Sequence, residues 1–352
     1  MLTLIKSAIK KLPIIRTFVA QRDRLRLALN EMTLERDATS LERDEITLER
    51  DAITVERDEI SLEREEIHSE LSELKRNQGF VPAGHFYSPI PSFEEIQRDE
   101  ARIFGNHSQE IFGVELNETE QLELLNRFLV YYGGMPFKPE KREGLRYYYE
   151  NPAYSYSDGI LLHCMIRHLK PNRIIEVGSG FSSCMILDTN ELFFNGSIAT
   201  TFIEPYPELL MSLLKEKDND SIKTISSRLQ DIDPGEFDAL RANDILFIDS
   251  THVSKIDSDV NRIIFDILPR LSSGVHVHFH DIFFPFEYKR EWVLEGRAWN
   301  EAYLLRAFLQ FNRTFRVVLM NSYMERFHHQ FFEENLPLCL KHTGGSIWIR
   351  KE

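Results

Sequence analysis

Cysteine is scarce in this chain: three among 352 residues, Cys164, Cys184 and Cys339. An odd, scattered set offers neither a disulfide framework nor zinc-ligand spacing, and it suits a reducing, cytoplasmic setting. Cys164 and Cys184 fall in segments patterned as helices, which predicts buried free thiols. Long apolar runs are also missing, and none approaches the roughly 20 residues that cross a bilayer. Basic charge is in deficit, with 42 Lys and Arg against 56 Asp and Glu, a net charge of −14. Phosphate neutralisation needs a basic face, so the balance argues against nucleic acid as the main partner. What the chain does have is apolar mass: 42% hydrophobic residues and 25 phenylalanines, enough for a sizeable core.

Residues 1–30 form a basic amphipathic segment, in which Leu4, Ile5, Ile9, Leu12 and Phe18 interleave with Lys6, Lys10, Lys11 and Arg16. Lys10 and Lys11 interrupt the apolar region and no small-residue cleavage site follows, so a secretory signal fits poorly. Two readings stay open: a peripheral membrane contact, or a helix docked on a partner or on the body of the protein. Pro13 predicts a break into two pieces. Residues 31–77 read as a helix, and over 34–68 a seven-residue unit recurs, as in Leu48-Glu-Arg-Asp-Ala-Ile-Thr54. That period predicts a long coiled-coil helix and a homo-oligomer held through 34–68. Leu41 and Ile46 are five apart, about 140° around a straight helix at 100° per residue. The repeat therefore draws two apolar stripes, which suits either a coil of more than two chains or a solvated spacer helix.

Residues 78–157 read as a linker and helical entry region. Gly79, Pro82, Gly84, Pro89 and Pro91 come first, then Leu122, Leu124, Leu125, Phe128 and Leu129 on one apolar face. Tyr147, Tyr148, Tyr149, Tyr154 and Tyr156 follow, placed either to line a substrate pocket or to pack beneath a sheet edge. Residues 158–352 alternate strand and helix patterns, which predicts an α/β fold with a doubly wound, mostly parallel sheet. Arg173 to Val177 reads as a buried strand, Gly178-Ser179-Gly180 as a tight turn, and Ser182 and Ser183 as the start of a helix. There a nucleotide-like ligand can approach backbone. Glu176 disfavours a dinucleotide phosphate and tolerates a cationic cofactor. The strand from Ile198 ends at Glu204, 28 residues after Glu176, near the spacing of a ribose-binding acid. The strand Asp244 to Ile248 ends at Asp249, and Gly274 to Phe279 ends at His280-Asp281. Three strands thus end in carboxylates at the edge where open α/β sheets bind ligands.

These stretches carry a resemblance: Glu176-Val-Gly-Ser-Gly-Phe-Ser-Ser183, Phe202-Ile-Glu-Pro205, Phe247-Ile-Asp-Ser-Thr-His252 and His278-Phe-His-Asp-Ile-Phe283. From about Gly84 to Arg350 the chain resembles the class I S-adenosylmethionine-dependent methyltransferases, in particular the bacterial group related to cephalosporin-hydroxylase-type and rhamnosyl O-methyltransferase-type proteins. The first eighty residues are not covered. The resemblance implies a Rossmann-like sheet ending in an antiparallel hairpin, S-adenosylmethionine as cofactor, and O-methylation of a sugar, glycan or other small hydroxylated acceptor. It assigns Glu176, Gly178, Ser179, Gly180 and Ser182 to the methionine end of the cofactor. Glu204 would take the ribose hydroxyls, and Gln230 or Asp231 would face the adenine edge.

Asp249 and Asp281 end strands predicted to be neighbours in the sheet, so with His252 and His280 they form the candidate catalytic group, and the related metal-dependent O-methyltransferases place a divalent metal at those two strand ends. Asp249, Asp281 and His280 would hold a divalent metal that polarises the acceptor hydroxyl. His280 stands where related proteins often have an oxygen ligand, which puts magnesium in doubt and favours manganese, iron or zinc. A metal-free version makes His252 or His280 the general base. His276 and His278 share a strand face with His280 and read as structural. Residues 282–297, rich in aromatics, read as a lid over the acceptor or as a packed loop. Two rival readings remain. A metal-dependent glycosyltransferase would use the Asp-x-Asp pairs Asp231/Asp233 and Asp257/Asp259, although Asp257 and Asp259 also suit a helix N-terminus. A non-catalytic, coil-mediated scaffold is the other.

Overall fold

A computed structural model of the chain describes residues 13–77 and 79–352. They divide into two units, Met1–Pro82 and Ala83–Glu352.

In the first unit the described residues form one long helix, α1, Pro13–Asn77, of 65 residues. At 1.5 Å per residue it is roughly 100 Å long. Pro13, where a break is expected, is the first described residue of the helix, so the residues on the other side of that break lie outside the described ones. The helix passes through residue 30, the expected end of the basic segment, without interruption. Residues 1–12, which hold much of the basic amphipathic pattern, lie outside the described residues. Both apolar stripes are exposed: Leu41 is 70% and Ile46 58% accessible. Arg36 and Arg57 pair with the adjacent Asp37 and Asp58, exposed contacts that add little. The helix therefore rests on its content of good helix formers, Leu, Glu, Arg and Ala. Among the described residues no helix is long and apolar enough to cross a membrane.

The second unit is built on a seven-stranded sheet. After the short helical segments Phe93–Arg98 and Glu100–Phe104 come two longer helices, α2 (Glu118–Tyr132) and α3 (Tyr156–Leu169). Then follow β1 (Arg173–Val177), α4 (Phe181–Phe194), β2 (Ala199–Ile203), β3 (Lys223–Ile225), β4 (Ile245–Ile248) and β5 (His276–His280). α5 (Glu301–Leu309), β6 (Phe315–Met320), α6 (Asn321–Phe327) and β7 (Ser346–Lys351) complete it. The strand order is β3-β2-β1-β4-β5-β7-β6. β1 to β5 pair in parallel, and β7 lies antiparallel between β5 and β6. β1 has β2 on one side and β4 on the other, so the winding reverses there, and the crevice beyond their carboxyl ends is the place for a ligand. This is the doubly wound, methyltransferase-type sheet the sequence predicts, with its antiparallel hairpin.

The strands are apolar because helices cover both faces: Ile245, Leu246, Phe247 and Ile248 of β4 are all buried. The tyrosines follow the packing alternative. Tyr147, Tyr149 and Tyr154 are buried, and Tyr149 stacks on Tyr156 at 4.9 Å. All three cysteines are free and buried. His278 lies flat against Phe247 at 4.1 Å, a core position as expected. In the aromatic segment after β5, Ile282, Phe283, Phe284, Phe286 and Tyr288 turn inward. It is a packed segment rather than a solvated loop.

Candidate active site

The residues just past four strands meet at one edge. Gly178 N donates to Ile203 O (2.9 Å), Asp249 N to Val177 O (2.8 Å) and Glu204 N to Ile225 O (3.1 Å). Gly178 has φ +80°, and a Cβ there would lie 1.8 Å from the Asp249 carbonyl oxygen. Only glycine lets the β1 turn pass so close to the end of β4. Glu204 accepts from Ser179 N (3.1 Å) and Tyr206 N (2.9 Å), so the turn after β1 and the end of β2 are one piece. Beside them opens a cleft of about 470 Å³, lined among others by Gly178, Glu204, Tyr206, Leu229, Gln230 and Asp249.

Several expected cofactor residues take other positions. Glu176 is fully buried and does not front the cleft; its two oxygens accept from Ser182 Oγ and Ser183 Oγ, both at 2.5 Å. Burial raises its carboxyl to about 8, against the pull of the two hydroxyls. It fastens the start of α4 to β1, and Ser182 serves the same bond. Gly180 N donates to Ser183 Oγ at 3.0 Å. The Ser179 hydroxyl is buried and has no partner. Gln230 lines the cleft and donates to the Asp257 carbonyl at 2.7 Å. Asp231 turns outward to an exposed pair with Arg228 at 2.9 Å, because the arginine lies one helical turn before it.

The second group does assemble. One ligand atom from each of Asp249, His280 and Asp281 lies within 4.8 Å of the others. His252 Nε2 is 3.4 Å from Asp249 and 3.7 Å from Asp281, and His280 Nε2 is 3.4 Å from Asp281. β4 and β5 are neighbours in register, Ile248 beside Phe279, which places the residues that follow them together. His252 and Asp281 both hold positive φ, 59° and 56°. Such backbone costs energy for a residue with a Cβ and tends to persist where the surroundings enforce it. Burial pulls the His252 pKa down, but its bonds to Asp249 and Glu301 prevail and raise it to about 10. Burial opposes charge on His280 too, and the facing Asp281 and Asp249 raise it. Burial lifts the Asp281 carboxyl; it opposes charge on Asp249 too, but there the His280 and His252 imidazoles prevail and hold the carboxyl below its usual range. Two acids that would repel each other are thus set beside two imidazoles, which favour their charged forms.

Glu301 is the residue the sequence did not reveal. It is wholly buried, 2.8 Å from His252 Nδ1, and accepts from Ser250 Oγ at 3.1 Å. In sequence it reads as an acid in the first turn of a helix, which the helix dipole alone explains.

A family model described as a methyltransferase domain matches residues 175–282, from β1 to the residue after Asp281. An uncharacterized protein of Archaeoglobus fulgidus is 36% identical over 168 residues, which span 46% of this chain and 74% of that protein. Residues 175–282 form a methyltransferase domain, on a sheet of the class I, S-adenosylmethionine-dependent type. Two solved structures are similar to this methyltransferase at lower identity. The SAH-bound methyltransferase PaMTH1 of Podospora anserina is 14% identical, covers 74% of this chain and 96% of its own, and has a TM-score of 0.40. The O-methyltransferase TomG of Streptomyces achromogenes, involved in tomaymycin synthesis and solved with SAM, is 16% identical with a TM-score of 0.38. Its match covers 57% of this chain and 83% of its own.

The methyltransferase's own residues fit its cofactor. The cleft has backbone at Gly178, a carboxylate at Glu204, an apolar side chain at Leu229 and an amide at Gln230, and the turn keeps an unpartnered hydroxyl at Ser179. Two carboxylates and an imidazole at Asp249, His280 and Asp281 likewise fit a divalent ion as a donor set. An ion held there supplies a Lewis acid for an acceptor oxygen.

Proposed function

We propose that this methyltransferase moves the methyl group of S-adenosylmethionine to a hydroxyl oxygen of a small acceptor, a sugar or glycan precursor. The observation that carries the oxygen is the group Asp249, His252, His280 and Asp281 beside the cofactor cleft. A neutral amine attacks without losing a proton first, whereas a hydroxyl must shed one during attack, and these side chains can orient the hydroxyl and hold or move that proton. Gly178, Glu204, Leu229 and Gln230 bind the donor; the aromatic segment 282–297 keeps water from the transfer. The glycosyltransferase reading lacks support. Asp231 is paired with Arg228, Asp233 caps Gly235, and Asp259 accepts twice from Thr251. A non-catalytic scaffold would have no use for the strain at His252 and Asp281.

The test is methyl transfer from isotopically labelled S-adenosylmethionine to a panel of methyl glycosides, with catechol as a non-sugar hydroxyl acceptor. Transfer to a glycoside supports the reading, and transfer to catechol alone removes the sugar. Activity that survives exhaustive chelation but is lost in both His252→Ala and His280→Ala assigns the proton to histidine. Activity lost on chelation and restored by manganese or magnesium assigns the metal. Full activity in Asp249→Ala and Asp281→Ala alike would sink both versions.

A further inference from the structure

The loop after β4 is gripped from behind by the start of α5. Asn300 N and Glu301 N both donate to the His252 carbonyl, at 3.0 and 3.1 Å. The Asn300 side chain accepts from Ser254 N (2.6 Å) and donates to Ser254 O (3.2 Å). Glu301 takes His252 Nδ1 on one oxygen (2.8 Å) and Ser250 Oγ on the other (3.1 Å). Trp299 lays its ring 4.4 Å from the imidazole, tilted by 40°. The imidazole is thereby fixed on one edge and one face. Its remaining nitrogen, Nε2, faces Asp249 and Asp281 at 3.4 and 3.7 Å.

From this geometry we infer that Glu301 is a positioning residue for methyl transfer: it anchors His252 Nδ1 so that Nε2 is presented to the acceptor side of the site. The inference rests on the methyl-transfer reading for its function, though not for its geometry. A half-turn of the ring about χ2 would set Cδ2 opposite Glu301 and strand a buried carboxylate without a partner. The left-handed backbone at His252 has the same origin, since it aims the carbonyl at two amides of α5 while the side chain reaches Glu301. Ser250 fixes the second oxygen, so the carboxylate cannot rotate away. Glu301 touches neither donor nor acceptor and acts only through the imidazole, as carboxylates behind ligand or catalytic histidines do.

The test pairs a spectroscopic reading with kinetics on the full chain. An Nδ1–H held by a buried carboxylate gives a low-field imidazole proton resonance, assigned by its loss in His252→Ala. Glu301→Gln keeps the shape and removes the charge. It should shift or abolish that resonance and lower kcat about 10-fold or more on the fastest glycoside of the panel. KM and the calorimetric affinity for S-adenosylmethionine should stay as in wild type. Glu301→Asp, one methylene shorter, should recover part of kcat and serves if the glutamine variant does not fold. An unchanged resonance in Glu301→Gln, or wild-type kcat in it, overturns the inference. A wild-type chain with the resonance but no methyl transfer counts against the proposed function and leaves the anchoring intact.

Discussion

Arg146 shows how much a single side chain can hold in this protein. Its guanidinium is 3% exposed and binds Asp188 (2.5 Å), Glu191 (2.9 Å) and Asp218. Asp188 also accepts from the Arg146 and Tyr147 amides, at 2.7 and 2.8 Å. Arg146→Ala leaves two buried acids without the guanidinium that balances their charge and should cost about 3–5 kcal/mol of unfolding free energy, read from denaturant midpoints. Glu325 is the opposite case, an acid kept protonated. Burial raises its pKa from 4.5 to about 8, although the Ser157 hydroxyl bond pulls the other way. Because the folded value is the higher one, its contribution is complete below about pH 4.5 and disappears as pH rises towards 8. Between those limits stability should fall by about 1.4 kcal/mol per pH unit on its account. Glu325→Gln should flatten that slope, measured by urea unfolding at several pH values.

The long helix α1 is the element whose role its own packing does not decide. Leu34, Leu41, Leu48, Val55 and Leu62 make one stripe, and Ile46, Ile53, Ile60 and Ile67 the other, all exposed. Burying such a side chain is worth about 1.5–3 kcal/mol, so two stripes on different sides favour an assembly of several copies. We propose that α1 joins chains in this way. Sedimentation of the full chain should then give an oligomer, and a chain beginning at Gly79 a monomer. Equal monomeric masses would leave α1 as a solvated spacer.

For the whole molecule, every residue of the cleft and of the proton-handling group lies between Val177 and Glu301, inside the Ala83–Glu352 unit with its own core. S-adenosylmethionine affinity should therefore be the same in the full chain and in the chain from Gly79, by calorimetry. A large loss in the shorter chain would mean that the site depends on the helical unit.

The sequence alone determined the order of strands, the glycine turn and the acids at strand ends. Those signals are local: apolar runs of four to six residues, a Gly-x-Gly and a carboxylate one step further. It also marked Asp249, His252, His280 and Asp281 as one group, because β4 and β5 were expected side by side. Tertiary structure alone decided which polar groups face the cleft. Glu176 lies in a strand buried on both faces, so the hydroxyls of α4 claim it before a ligand can. Asp231 was lost to Arg228 three residues away. Glu301 joins His252 across 49 residues only because the segment after β5 folds back and sets the start of α5 against the loop after β4. No pattern in the intervening residues encodes that contact. It follows from how the aromatic segment packs, and packing is a property of the whole core.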